Sequence, residues 1–359
     1  MSRASALNPF RFGVVVDGPF FTDRTTEKAE LKQALNSANH IVLISPRRYG
    51  KSSLALNVAR STKRPLIYMN LQSATSVTDF ANQLLKEVLK AYKFENIRRH
   101  LAGLRGSPAF ETDMATGAIS VYFRPIGKES TSSLEDVFTL IEKLATAKKR
   151  PIVILDEFQE AASIDAQLFK KLRSVMQMQQ NINYVFIGSE ESMMEQIFNS
   201  KKSPFYHFGL LMRLARIPKS DFESFVAGGL QDISKHAALI ARDIVAFTES
   251  HPYYTQLLSY KCFEFLRNTD YDVDTLPLVC SSIVAEQDNN YEKLWNQLNK
   301  NQQGILVSLA LGAANIQPAK NSTYYSSLKA LVKKGLVVKL ESYILEDPFF
   351  KLWIEKSRR

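Results

Sequence analysis

Ser45-Pro46-Arg47-Arg48-Tyr49-Gly50-Lys51-Ser52-Ser53 decides how this chain reads. An apolar run, His40-Ile41-Val42-Leu43-Ile44, precedes it, and a helix-patterned segment, Leu54-Ala55-Leu56-Asn57-Val58-Ala59, follows. Strand, loop ending in Gly-Lys-Ser, then helix is the layout of a nucleotide phosphate loop. Backbone N–H groups and a helix N-terminus wrap the phosphates in such a loop. Gly50 lets the backbone approach them, Lys51 would reach the β- and γ-phosphates, and the Ser52 hydroxyl would hold Mg²⁺. The usual pattern opens with Gly, and this loop opens with Ser45. A Cβ is costly at positive φ and tolerated at negative φ, so an intact pocket predicts φ below zero at residue 45. The competing reading is a chance Gly-Lys-Ser between a strand and a helix.

The second half of the site is Pro151-Ile152-Val153-Ile154-Leu155-Asp156-Glu157, an apolar strand ending in two carboxylates, about a hundred residues after the loop. A parallel strand releases its C-terminal residues into the crevice where ligands bind. Asp156 would hold Mg²⁺, and Glu157 would orient and activate the attacking water. A simpler reading makes both acids caps of the next helix. Asn70 ends the strand Pro65–Asn70 and could hydrogen-bond Glu157, or be an ordinary strand-end turn residue. Ser189 ends the strand Asn183–Ser189, where it could sense the γ-phosphate, or cap the helix that follows.

Alternation of these strands with helices over 25–35, 52–60, 77–92, 132–148 and 164–178 predicts a parallel α/β sheet with helices on both faces. Residues 1–20 read as an irregular lead-in. Residues 96–131 read as an insertion with a β-ribbon around Gly117–Phe123. After Pro218 the strand signals stop, and helices fit 236–249 and 252–267. Helices over 287–299, 301–312 and 322–334, then two short strands, give a winged-helix layout. The expected domains are therefore an α/β core over 21–217, a helical lid over 218–285 and a winged helix over 286–359.

The chain has 359 residues, 45% hydrophobic and 23% charged, which is ordinary globular composition for two or three domains. Its two cysteines, Cys262 and Cys280, can build neither a disulfide framework nor a zinc site. A reducing, cytoplasmic location fits. The first residues show no secretory h-region, and no apolar run reaches membrane-helix length. The net charge is +10. Residues 290–359 hold eleven Lys and Arg against five Asp and Glu, so +6 of that charge sits in about a fifth of the chain. Lys329, Lys333, Lys334 and Lys339 fall on the expected recognition helix and wing, where they would meet DNA phosphates without reading sequence. A solvated face serving a protein partner is the equal alternative.

Ser45-Pro46-Arg47-Arg48-Tyr49-Gly50-Lys51-Ser52-Ser53, Leu155-Asp156-Glu157-Phe158-Gln159-Glu160 and Gly188-Ser189 together resemble the archaeal- and bacterial-type AAA-like P-loop ATPases of the STAND group. The resemblance runs from about Phe21 to the C-terminus. It implies an AAA+-like P-loop fold with a lid and a winged helix, and a site for ATP or ADP with Mg²⁺. Phe21-Thr22-Asp23-Arg24 is similar to the segment that brings Arg24 near the adenine. Ser250-His251-Pro252-Tyr253-Tyr254 is similar to the lid motif, which assigns His251 and Pro252 to the nucleotide. Glu346-Asp347-Pro348-Phe349-Phe350-Lys351-Leu352-Trp353 resembles the family's C-terminal Asp-Pro signature. Ser45 and Ser250 stand where the family has Gly, and His207 stands where it often has Arg, with Arg213 and Arg216 nearby. The reading is a nucleotide-controlled switch with slow or partner-dependent hydrolysis, whose winged helix meets DNA, a protein partner or a second copy. The alternative is a DNA-binding regulator with a degenerate, mainly structural nucleotide site.

Overall fold

The computed structural model describes residues 7–21, 24–101, 108–112, 119–123, 132–270, 273–312 and 322–358. Thr22, Asp23, Gly117, Ala118 and much of the 96–131 insertion lie outside these. The chain forms two compact units. One comprises residues 24–46 and 51–215; the other comprises the N-terminal residues up to 23, the loop residues 47–50, and residues 216–359.

The first unit runs α1 (Thr25–Asn36), β1 (Ile41–Ile44), α2 (Lys51–Ser61), β2 (Leu66–Asn70), α3 (Val77–Ala91), α4 (Phe94–Leu101), β3 (Pro108–Thr112), β4 (Ile119–Phe123), α5 (Ser132–Leu144), β5 (Ile152–Asp156), α6 (Ala161–Ile164), α7 (Leu168–Met176), β6 (Asn183–Gly188), α8 (Glu191–Asn199) and β7 (Leu210–Arg213). Five strands make one sheet in the order β2-β5-β6-β1-β7, with parallel pairing at every step. The three inner strands are buried at every residue, so both faces of the sheet are covered. Their sequences, Ile-Val-Leu-Ile, Ile-Val-Ile-Leu-Asp and Asn-Tyr-Val-Phe-Ile-Gly, are near-continuous apolar runs for that reason. The parallel α/β sheet is thus as expected. β3 and β4 pair antiparallel, Phe110 opposite Val121, which is the expected ribbon.

Sequence reading misses β7. It is four residues long, pairs only with β1, and leaves Leu210 and Leu211 exposed. A short edge strand carries no burial periodicity to betray it. The helix expected to reach residue 148 stops at Leu144, the one expected over 164–178 is α7, shorter at both ends, and the short α6 before it was not expected.

The second unit contains α9 (Lys219–Leu230), α10 (Ala237–Phe247), α11 (Pro252–Leu266), α12 (Thr275–Asn296), α13 (Lys300–Ala310), α14 (Ser322–Lys333), the antiparallel hairpin β8 (Val337–Lys339) and β9 (Tyr343–Leu345), and α15 (Pro348–Ser357). α12 runs unbroken through residue 285, where the sequence pattern suggests a boundary. One apolar cluster accordingly extends from Phe222 and Ile244 through Leu258, Cys262 and Ile283 to Leu331, Phe350 and Trp353. Asp347 caps α15 through Oδ1, accepting from the N–H groups of Phe349 and Phe350, with Pro348 at the first helical position. Trp353 donates its indole N–H to Asp288 at 2.7 Å.

The N-terminal lead-in is anchored by its side chains. Phe10 is fully buried, edge-on to Phe225 and Phe263. Asn8 donates to the Tyr260 carbonyl and to Glu264 on α11. Gly229 in α9 lacks a Cβ where one would stand 2.5 Å from the Phe10 ring. These contacts hold the N-terminal segment to α9 and α11. Phe10→Ala, which empties a buried aromatic site, is expected to cost about 3–5 kcal/mol, read as a lowered urea midpoint at unchanged slope.

Candidate functional site

β1 delivers the chain into the loop, and α2 begins at Lys51. The turn is made by two left-handed residues, Arg48 at φ 67° and Gly50 at φ 83°. Ser45 is not among the positive-φ residues, so the sequence expectation for it holds and its Cβ causes no strain. The Lys51 ammonium donates to the carbonyls of Ser45 and Pro46, both at 2.7 Å. These bonds pin the cation against the loop's own backbone. Ser53 is buried beneath, and Arg47 and Arg48 are exposed.

The ends of the neighbouring strands complete the arrangement. Asp156 is buried at the end of β5, and its Oδ2 accepts from the hydroxyls of Ser52 at 2.5 Å and Tyr68 at 2.8 Å. Burial raises its pKa, outweighing these two donors. No Lys or Arg pairs with it among the described residues. A buried carboxylate beside a hydroxyl, lacking a cationic partner, suits a hard divalent ion. Among the described residues no group of three or more His, Cys, Asp or Glu could form an all-protein metal cage. Ser52 and Asp156 therefore fit Mg²⁺, which keeps waters and takes phosphate oxygens as its other ligands.

Glu157 leaves β5 in the left-handed conformation at φ 51°. Its Oε2 accepts from Ser189 Oγ and from Gln159 Nε2, both at 2.6 Å. Ser189 thus reaches the acid from the end of β6, and Glu190, not Ser189, occupies the N-cap position of α8. Among the described residues no hydrogen bond joins Asn70 to Glu157. Asn70 lies opposite Asp156 in the β2–β5 register, and its side-chain oxygen accepts from the Gln72 N–H, the role of a turn residue. Gln159 and Tyr68 are the residues that sequence reasoning missed. A polar-tipped Tyr68 in an apolar strand, two residues before its end, was the available signal.

Arg24 is buried, with its guanidinium bonded to Glu27 and to the Ala215 carbonyl. Both bonds lie within the first unit. Arg213 pairs with Glu191 and Glu195. His207 is exposed and left-handed at φ 53°.

The second unit holds a charged cluster around Tyr49. The ring of Tyr49 is buried edge-on to His251, 5.1 Å between centroids. Arg216 donates to Tyr49 Oη, to Glu249 and to Glu346. His251 Nε2 meets Glu346 at 3.0 Å, while Nδ1 accepts from the N–H groups of Tyr253 and Tyr254 and caps α11. Nδ1 is thus the acceptor and Nε2 carries the proton. Arg48 lies 4.5 Å over the Tyr253 ring, and Pro252 opens the helix. Burial lowers the His251 pKa. Burial opposes ionisation of Glu346, but the His251 hydrogen bond and the Arg216 charge hold its carboxyl below the ordinary range. Four residues 49, 216, 251 and 346 thus converge, a constellation that no local motif announces.

Ser250 differs from Ser45. It is left-handed at φ 62°, follows a left-handed Glu249, and its buried hydroxyl has no partner among the described residues. The strain lies at Ser250 and not at the loop's Ser45.

Residues 34–194 match the family model described as an AAA domain. The structure is similar to the Walker-type ATPase of Pyrococcus abyssi (18% identity, 94% of this chain and 96% of that one, TM-score 0.65). It is also similar to the Aeropyrum pernix ORC2 protein in its ADPNP–ADP complexes (15% identity, 94% of each chain, TM-score 0.56). No curated protein matches the sequence. The fold is that of an AAA+-like P-loop NTPase.

Two outcomes follow from this geometry. Ser250→Gly is expected to stabilise the protein by about 1 kcal/mol in urea unfolding, whereas Ser45→Gly is expected to give no gain. Because the folded His251 pKa lies below 6.5, the unfolded chain takes up that proton first as pH falls. Stability contributed there is present above 6.5 and declines as pH drops below it. Glu346, held low, adds a further loss only when pH falls through its folded pKa. The melting temperature should therefore fall from about pH 7.5 to about pH 5.5, and less steeply in His251→Gln.

Proposed function

We propose that this protein is a Mg²⁺-dependent ATPase that works as a nucleotide-controlled switch. The convergence of Lys51, Ser52, Asp156 and Glu157 at the ends of β1 and β5 carries the reading. The loop backbone from Ser45 to Ser53 would cradle the phosphates, and Lys51 would exchange its bonds to the Ser45 and Pro46 carbonyls for phosphate oxygens. Mg²⁺, when bound by Ser52 and Asp156, neutralises phosphate charge. Glu157 would accept a proton from the water that attacks the γ-phosphorus, giving ADP and inorganic phosphate. Ser189 and Gln159 fix one of its oxygens and leave the other for that water. The ORC2 protein that shares the fold was solved with ADP and ADPNP, which supports the same ligand class here.

The switch reading rests on Tyr49. A loop residue bonded to Arg216, and through it to Glu346 at the end of the hairpin, gives nucleotide-dependent movement of residues 47–50 a route to α11 and β9. His251 and Pro252 would respond to nucleotide through this route. We read the helices α13 and α14 with the β8–β9 hairpin as a winged helix, whose Lys329, Lys333, Lys334 and Lys339 are all exposed and basic, in keeping with DNA as the partner.

Lys51→Ala is expected to weaken ATP binding at least tenfold, and Glu157→Gln to bind ATP normally but lose hydrolysis by about 10²-fold or more. Titration with a fluorescent ATP analogue and a phosphate-release assay read the two effects. Equal binding by wild type and Lys51→Ala would refute the nucleotide site. Normal binding with no wild-type hydrolysis would leave a structural nucleotide in a DNA-binding regulator.

A further inference from the structure

On α14, Tyr325, Lys329, Val332 and Lys333 follow one another at i, i+4, i+7 and i+8, which places them on one helical face. All four are exposed, while Leu328 and Leu331 of the same helix are buried. The ring of Tyr325 is 53% exposed. On β9, Tyr343 is 37% exposed, with the Lys339 ammonium 5.8 Å from its ring centroid. Tyr324 stands edge-on to Tyr325 at 6.2 Å. The helix and the hairpin thus each carry a tyrosine open to solvent, Tyr325 and Tyr343. Lys329, Lys333, Lys334 and Lys339 are exposed on the same helix and hairpin, with Glu341 as the acid beside them.

We propose that this face of α14 and the β8–β9 hairpin is a stacking platform for unpaired nucleic-acid bases, so that it prefers single strands to full duplex. The inference rests on the nucleic-acid reading of the C-terminal helices and hairpin given above, and goes beyond it in naming the form recognised. Bases in a duplex are already stacked on both faces and have nothing to gain from an exposed phenol ring. An unpaired base gains a π-partner, and the ring accepts any base, so recognition needs no sequence. The lysines beside the rings neutralise the backbone phosphates. Protein interfaces are enriched in aromatic residues but depleted in Lys. Here lysines accompany both exposed rings, Lys329 and Lys333 on the α14 face of Tyr325 and Lys339 beside Tyr343, which matches a polyanion carrying flat bases.

The test uses the full chain and fluorescence anisotropy with labelled oligothymidylate, oligouridylate and a blunt DNA duplex, each roughly 20 units long so as to exceed one stacking site. The expected result is at least tenfold tighter binding to one of the single strands than to duplex, the tighter one identifying DNA or RNA as the source. Tyr325→Ala and Tyr343→Ala should each weaken single-strand binding by about tenfold and leave duplex binding unchanged. Tyr325→Phe, which keeps the ring, should bind as wild type. Lys333→Glu with Lys334→Glu should weaken both forms and flatten the salt dependence. Equal affinity for single strand and duplex, lost in the lysine variant but indifferent to the tyrosines, would overturn the stacking proposal while leaving nucleic-acid binding in place. No binding to any of the three would overturn both and leave the face to a protein.

Discussion

A carboxylate buried at the end of an inner strand is the constraint on which the first unit turns. Asp156 must sit where the sheet ends, and it can remain there only if its oxygens find donors. The Glu157 N–H donates to Oδ1, and the two hydroxyls that reach Oδ2 come from different elements, Ser52 from the first turn of α2 and Tyr68 from β2. Those contacts require β2 to lie beside β5 in the observed register, with Tyr68 level with Ile154. They also require the loop to hand α2 back over the sheet directly after β1. Strand order, loop length and the identity of residue 52 are thus fixed together by one acid.

The same reasoning explains why the carboxylate is there at all. A hydrophobic residue at 156 would pack more cheaply, and burial already works against the ionised form. Such a group is retained where a cation can meet it. Glu157 beside it is managed differently. Its backbone is left-handed and one oxygen is held by Ser189 and Gln159. Two adjacent acids are given two environments.

In the second unit, charge does at Tyr49 what hydroxyls do at Asp156. Arg216 and His251 flank Glu346; His251 is buried, Arg216 and Glu346 are partly buried, and each offsets the charge or polarity of the others. Removing one would strand its partners, so the cluster behaves as a unit. The left-handed pair Glu249-Ser250 positions His251 to cap α11, and the strain at Ser250 is the local cost of that turn.

Much of this was legible without coordinates. Gly-Lys-Ser after an apolar run, and Asp-Glu at the end of another, are local patterns whose chemistry depends on adjacent residues. Parallel strands covered on both faces advertise themselves as apolar runs, so the inner sheet could be read off. The negative φ of Ser45 followed from sterics alone. Tertiary structure decided whatever depends on partners far apart in the chain. Asn70 and Ser189 looked alike as polar strand ends, and only the fold turned Ser189 to Glu157 and Asn70 to Gln72. Phe10 looked like part of a loose lead-in until α9 and α11 closed around it. Arg216 and Glu346, 130 positions apart, carry no shared signal in sequence. Periodicity and motif report what a residue needs from its neighbours along the chain; hydrogen bonding and burial report which distant groups supply the rest.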